Sequence, residues 1–399
     1  MKLTLIENQK TQVSELTEDD ITFLSGSRLE SMFRVRRLTA GLGYELYADN
    51  IVGALRLPSG RQLFIEPKLP LPNIFRMLSY VGGFDPLDKD VEYEKDEGLF
   101  DIIARIFASE LSSLLRRGLR QQYTRHEAPM SSLRGRILFT ESIKRCLIGS
   151  DKLYCGYSNL SIDTPINRAV VAAADALLSS RAIASPTQKQ VRSCLSHIPV
   201  GAIEPKFALS DFQRIQLDRT TEHYRRILFL SRFILASASF SNRSGDNEFP
   251  GFLLALSGLF EKYVAKALLE GNGSAQFRVL SQKEVKLDRE EEVSCIPDLT
   301  FLSAEGTAYI ADTKYKNFSD LKFRNEDVFQ VITYLVRHHC RDAFLIYPAF
   351  DERDFGLLKT IHVPTEIGEI RVHGVCIRVD TPEDVRTQLQ NALSLKRSA

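Results

Sequence analysis

Residues 296–314 read IPDLTFLSAEGTAYIADTK, and the fold turns on how this stretch is interpreted. Two short apolar runs flank Glu305-Gly306, so the stretch reads as a hairpin with that pair in the turn. Side chains alternate across a strand, so Asp312 and Lys314, two apart, project to one face while Thr313 points away. With Glu305-Gly306 as the turn, Asp298 stands opposite Thr313; a one-residue change of register places it opposite Asp312 or Lys314. In either register two carboxylates and an ammonium group share one small patch.

That patch has the chemistry of phosphodiester hydrolysis. Hard carboxylate oxygens suit Mg2+, with Mn2+ as a substitute; such an ion neutralises charge at a scissile phosphate and lowers the pKa of a bound water. A lysine beside it can orient the attacking water and stabilise the negative charge that develops. Asp298 and Asp312 are therefore candidate metal ligands and Lys314 a candidate catalytic cation. Upstream, Leu259-Phe260-Glu261-Lys262-Tyr263-Val264 sets Glu261 among apolar residues that seat a helix on the sheet, from which it can point toward the metal site. Downstream, Gln330 and Tyr334 are four apart on one helix face and can brace the lysine strand or touch the phosphate backbone. The order expected is a helix over about Gly251–Glu270 and strands over about Lys283–Leu287, Val293–Leu302 and Thr307–Lys314. A helix over about Asp327–His338 and a strand over Ala343–Tyr347 complete an α/β core.

Working outward, residues 1 to about 95 look β-rich. Ile51–Leu57 and Gln62–Ile65 flank a Pro58-Ser59-Gly60 turn, and the run before them interleaves Arg34, Arg36 and Arg37 with apolar positions. From Leu99 the period changes. Leu99, Ile102, Ile103, Ile106, Phe107, Leu111, Leu114 and Leu115 recur mostly at three- and four-residue spacing, predicting an amphipathic helix that Gly118 ends. Further helices are expected over Pro165–Ser179 and about Asp218–Ala236, so the middle of the chain reads as mainly helical. Ser239–Pro250 concentrates Ser, Asn, Gly and Pro and marks a linker. The fold class is thus multi-domain α/β: a β-rich module over 1–95, a helical region over 96–245, and a core of mixed sheet flanked by helices over 246–399.

At 399 residues, 44% hydrophobic and 26% charged, the chain has the composition of an ordinary globular protein of two or three domains. Its net charge of +1 means that affinity for a polyanion has to come from local clusters. The strongest is between Arg116 and Arg136, where six arginines face one acid, Glu127. Arg116, Arg117, Arg120, Arg134 and Arg136 are the candidate phosphate contacts; the alternative is an exposed helix end complementing its own dipole. Six cysteines are scattered without zinc-ligand spacing, and His338-His339 diverge by about 100 degrees on a helix, so no zinc is expected. The N-terminal residues lack the apolar core of a signal peptide, and no run reaches the roughly 18 apolar residues of a membrane span, so a cytoplasmic protein with no membrane partner is expected. No Walker A pattern occurs, so nucleotide hydrolysis would need a second protein.

Pro297-Asp298 and Asp312-Thr313-Lys314 on two strands, with Glu261 before them, resemble the PD-(D/E)XK nuclease superfamily; Gln330 and Tyr334 are like the QxxxY element of its RecB-like members. Over most of its length the chain also resembles the McrC family, the nuclease subunits of McrBC 5-methylcytosine-dependent restriction systems. The pieces that carry this are Ile65-Glu66-Pro67-Lys68, Leu133-Arg134-Gly135-Arg136 followed by Ser142-Ile143, and Asp163-Thr164-Pro165-Ile166-Asn167-Arg168. Leu259-Phe260-Glu261 and Ile310-Ala311-Asp312-Thr313-Lys314-Tyr315-Lys316 complete them. The resemblance implies an endonuclease that cuts double-stranded DNA carrying methylated cytosine, in a bacterial or archaeal cytoplasm. It also implies an McrB-like AAA+ GTPase ring as partner, with the N-terminal module docking on the ring and stimulating it. Two other readings share the residues: a stand-alone repair or defence nuclease, and an adaptor of the ring whose site is inert.

Overall fold

Strands Leu299–Ser303 and Gly306–Thr313 pair antiparallel inside a six-stranded mixed sheet. The computed structural model describes residues 2–14, 16–26, 29–38, 43–83, 99–147, 151–180, 183–204, 206–239, 251–270, 277–303, 306–318, 320–350, 355–365 and 368–394. Of the expected linker only Ser239 lies among the described residues, and Glu305 of the expected turn lies outside them. The strand order is Arg278–Ser281, Leu299–Ser303, Gly306–Thr313, Asp342–Pro348, Gly368–Ile377 and Gly356–Thr365. Gly306–Thr313, Asp342–Pro348 and Gly368–Ile377 run parallel, and the outer pairs are antiparallel. Asp342–Pro348 is buried at every position, as a parallel strand covered on both faces should be.

Between Gly306–Thr313 and Asp342–Pro348 the chain crosses over through helix Asn325–His338. The helix packs Val331, Tyr334 and Leu335 into one core with Ile310, Ala343 and Leu345. It therefore covers the sheet face that Ile310 shares with Asp312 and Lys314. Helix Leu256–Glu270 also packs on strand Gly306–Thr313.

Several elements differ from the sequence reading. The helix expected from Gly251 begins at Leu256, because Gly251–Ala255 is a strand beside Ile51–Arg56. A short apolar run carries no period that separates the two. Strand Arg278–Ser281, the hairpin Gly356–Thr365 with Gly368–Ile377, and helix Pro382–Ser394 went unread.

The described chain divides into two compact units, Met1–Leu99 with Leu253–Ala399, and Phe100–Phe252. The module expected over 1–95 and the core expected over 246–399 thus share a unit. Polar and aromatic contacts join them. Tyr80, on helix Leu71–Gly82, donates to Glu270 Oε2 at 2.6 Å, and its ring meets Tyr263 edge-on at 5.5 Å. The N-terminal part itself holds two sheets around Leu5, Leu46, Ile51, Leu63, Ile65 and Leu253. Its hairpin turns at Gly60, whose φ of 84° is the left-handed conformation that glycine adopts without cost. Arg34, Arg36 and Arg37 lie exposed on strand Phe33–Arg37.

The second unit contains helix Leu99–Arg117 from Phe100 onward and helices Pro165–Ser179, Ser185–Leu195 and Arg225–Ser239. It also contains a three-stranded sheet of Gln122–Met130, Leu153–Ser161 and Arg136–Ile137, so its reading as mainly helical is incomplete. These strands are exposed at most positions and lack the apolar alternation that reveals a strand. The Asp163–Arg168 motif has a structural explanation. The Thr164 hydroxyl caps helix Pro165–Ser179 and Pro165 opens it. Buried Asn167 donates to the carbonyls of Arg120 and Ile162 at 2.8 and 2.7 Å and accepts from the Tyr224 hydroxyl at 2.8 Å. Among the described residues, no helix is long and apolar enough to cross a membrane.

Candidate active site

Strand Gly306–Thr313 ends where the chemistry begins. Leu299 pairs with Ala311, so one further step along the register sets Asp298 across from Asp312. The register changes after Phe301, where Ala308 is the extra residue. This bulge selects one of the registers left open by the sequence. Asp298 precedes its strand, so its carboxylate curls over the strand end: Oδ2 accepts from the Thr313 N–H at 2.7 Å and the Thr313 hydroxyl at 2.6 Å. Thr313, expected to point away from the patch, instead fastens one of its acids.

Asp312 is only 3% exposed, and its Oδ2 lies 2.7 Å from the Lys314 ammonium. Burial first, then the charge of Asp298, pushes the Asp312 carboxyl up to about 6 against the pull of Lys314. Burial acts to lower the Lys314 pKa, but the surrounding charges of Asp312, Asp327 and Asp298 outweigh it and hold the lysine protonated. Lys314 also donates to Gln330 Oε1 at 2.7 Å; Gln330 Nε2 donates to the Tyr334 hydroxyl at 2.8 Å, and that hydroxyl to the Ile296 carbonyl at 3.4 Å. The glutamine and tyrosine singled out in the sequence therefore brace the lysine from the neighbouring helix.

Glu261, on helix Leu256–Glu270, is raised by burial and by the charge of Asp298, so the two acids sense one another. Its Oε1 accepts from the Gln282 side chain, while the Gln282 N–H donates to the Asp298 carbonyl at 3.0 Å. Gln282 thus joins two of the candidate acids, from a left-handed backbone with φ 49°. Nothing in its sequence context signals this role. Asp327 is the second residue missed. It is 4% exposed, receives Lys316 at 3.0 and 3.2 Å, and lies 3.6 Å from Lys314. Asp327, Gln330 and Tyr334 are spaced by three and four residues, so helical periodicity alone marks their common face.

Among the described residues, no three His, Cys, Asp or Glu side chains converge closely enough to hold a metal ion as they stand. Each candidate donor is engaged by a neighbour: Asp312 by Lys314, Asp298 by Thr313, Glu261 by Gln282. The donor chemistry nonetheless fits a hard divalent cation. Glu261, Asp298, Asp312 and Asp327 set four carboxylates against Lys314 and Lys316; burial first, and the charge of Asp298 after it, raises Asp312 and Glu261, and a bound cation would oppose both effects.

In the second unit the basic residues occupy two settings. Arg116 and Arg117 close helix Leu99–Arg117, with Arg116 bonded to Ser112 Oγ at 2.9 Å, and Arg120 donates to Thr220 Oγ1 at 3.0 Å. Arg134 bonds Asn159 Oδ1 at 2.5 Å with its guanidinium 4.5 Å from the Tyr157 ring centroid, and Arg136 pairs with Gly156 on the sheet.

Comparison with known proteins fits this architecture. A family model described as McrBC 5-methylcytosine restriction system component matches residues 46–348. The Escherichia coli (strain K12) type IV methyl-directed restriction enzyme EcoKMcrBC is 22% identical over 321 residues, covering 76% of this chain and 88% of the relative. A chain in the refined half-complex of the tetradecameric assembly of Thermococcus gammatolerans McrB AAA+ hexamers with bound McrC aligns at a TM-score of 0.63 and 16% identity. That alignment covers 98% of this chain and 100% of the other, and shows a shared fold.

Proposed function

As the chain belongs to the McrBC 5-methylcytosine restriction system component family, we propose that it is the DNA-cutting subunit of such a system, an McrC-like endonuclease working with an McrB-like AAA+ GTPase. The observation that carries this reading is the Asp312–Lys314 pair, with Asp298 and Glu261 coupled to it and Gln330 and Tyr334 holding the lysine.

Asp298, Asp312 and Glu261 would hold Mg2+, or Mn2+ in its place. When bound, the ion supplies Lewis-acid polarisation of the phosphate and a more acidic water. Lys314, kept protonated by its carboxylate neighbours, orients the attacking water and stabilises the charge that grows on the phosphate oxygens. Gln330 and Tyr334 fix the ammonium group, so that little reorganisation is needed during the reaction. Thr313 and Gln282 hold Asp298 and Glu261 at their posts.

The N-terminal sheets dock on the GTPase ring, and Arg116, Arg117, Arg120, Arg134 and Arg136 supply phosphate contacts that carry no sequence information. Selection of methylated cytosine in double-stranded DNA resides in the partner. The test is to omit components one at a time from a reaction of this chain, the GTPase, GTP, Mg2+ and methylated plasmid. Cutting that needs all five supports the proposal; rapid cutting by the chain and Mg2+ alone points to a stand-alone nuclease.

A further inference from the structure

Glu7 is fully buried, and the proposed chemistry gives it no part. It follows strand Lys2–Ile6, which runs parallel to Gln62–Glu66, and its own N–H donates to the Glu66 carbonyl at 2.9 Å. One carboxylate oxygen, Oε1, takes two hydrogen bonds: from the Lys68 N–H at 2.7 Å and from the Tyr315 hydroxyl at 3.0 Å. The other, Oε2, is buried with no hydrogen-bond partner. Leaving a buried carboxylate oxygen without a partner is destabilising, a cost that apolar packing at the same position would avoid. Its presence here calls for a role that apolar packing does not fill.

Tyr315 supplies that role. It is 2% exposed and follows Lys314 directly. The strand ends at Thr313 and the Lys316 N–H turns back to the Lys314 carbonyl at 2.8 Å, and the Tyr315 ring at this bend meets that of Phe260, on helix Leu256–Glu270, at 6.0 Å. Phe260 is the residue before Glu261. One tyrosine therefore links both halves of the candidate site, the segment after strand Gly306–Thr313 that carries Lys314 and the helix that carries Glu261. Its hydroxyl is held from the N-terminal sheet by Glu7.

We infer that Glu7 is a positioning residue for the nuclease centre: through Tyr315 it sets the spacing between Lys314 and Glu261, and it ties that spacing to the N-terminal module. Neither residue touches DNA or the cation. This rests on the nuclease reading above, and it adds a path by which a partner bound to the N-terminal sheets acts on the cutting site.

The experiment uses the full chain assembled with its GTPase, methylated duplex DNA and Mg2+, and reads single-turnover cleavage, DNA affinity and GTP hydrolysis. Tyr315→Phe removes one hydroxyl and keeps the ring. It is expected to slow cleavage by about tenfold or more while DNA affinity and GTP hydrolysis stay at wild-type levels, since small displacements at a reacting centre cost rates of this order. Glu7→Leu should match it, and the double variant should be no slower than the slower single one. Glu7→Gln keeps a carbonyl oxygen for both donors and should cut within about threefold of wild type. Wild-type cleavage by Tyr315→Phe, with Asp312→Ala inactive, overturns the positioning role alone. Wild-type cleavage by Asp312→Ala overturns the nuclease reading and this inference with it.

Discussion

Lys314 Nζ lies 2.7 Å from Asp312 Oδ2, and the same ammonium group is 2.7 Å from Gln330 Oε1. The lysine is thus held between a strand neighbour on its own face and a helix that crosses above that face. Lys314 follows the last residue of strand Gly306–Thr313, so its replacement by Ala should leave the strand pairing in place. Lys314→Ala is expected to slow DNA cleavage by about 10²–10³-fold, the usual loss when one preorganised stabiliser of transition-state charge is deleted. Partner and DNA binding should persist. Single-turnover cleavage at saturating enzyme measures the first, and pull-down with the GTPase the second.

Gln330 and Tyr334 act on the lysine from a distance, so their effects should be graded. Gln330→Ala leaves Lys314 with Asp312 as its near partner and should slow cleavage by about tenfold; Tyr334→Phe, one bond further away, should cost less. Equal losses for all three residues would mean that they contact the reacting groups independently.

What the sequence disclosed follows from periodicity. The Asp312–Lys314 face, the Gln330–Tyr334 pair and the Pro58–Gly60 hairpin were legible because strand alternation, helical spacing and turn residues each leave a local mark. The register was not, since the bulge that seats Asp298 across from Asp312 adds one residue, Ala308, that no pattern announces. Gln282 was hidden because its role depends on a left-handed backbone and two distant partners. The exposed sheet of the second unit left no apolar alternation to read. Glu7, at position 7, bonds to position 315, and a separation of that kind is invisible to any local pattern.

Glu7 also predicts a pH effect on stability. Burial first raises its carboxyl to about 7 in the folded protein, from 4.5 for the free group. A raised folded value means that the folded state binds more protons between those limits. Stability from this group is therefore full below about 4.5 and lost as pH rises toward 7, by about 3 kcal/mol. Glu7→Gln cannot titrate. Its melting temperature relative to wild type should climb as pH is raised from 4.5 to 7 and level off above; a constant difference across that range would show that Glu7 keeps an ordinary acidity.

Arg116 and Arg117 are exposed at a helix end, and each would release about one counterion on meeting a phosphate. The double change to alanine should lower the slope of log affinity against log salt by about 1.8, with no change in preference between methylated and plain DNA. An unchanged slope assigns these arginines to the helix dipole.

The most direct test replaces Asp312 with Ala in the complete chain and assembles it with the GTPase on methylated plasmid in Mg2+ and GTP, recording DNA cleavage and GTP hydrolysis in the same reaction. The carboxylate–lysine site predicts that cleavage disappears while GTP hydrolysis continues at the wild-type level. Cleavage at the wild-type rate by the folded Asp312→Ala protein would contradict it.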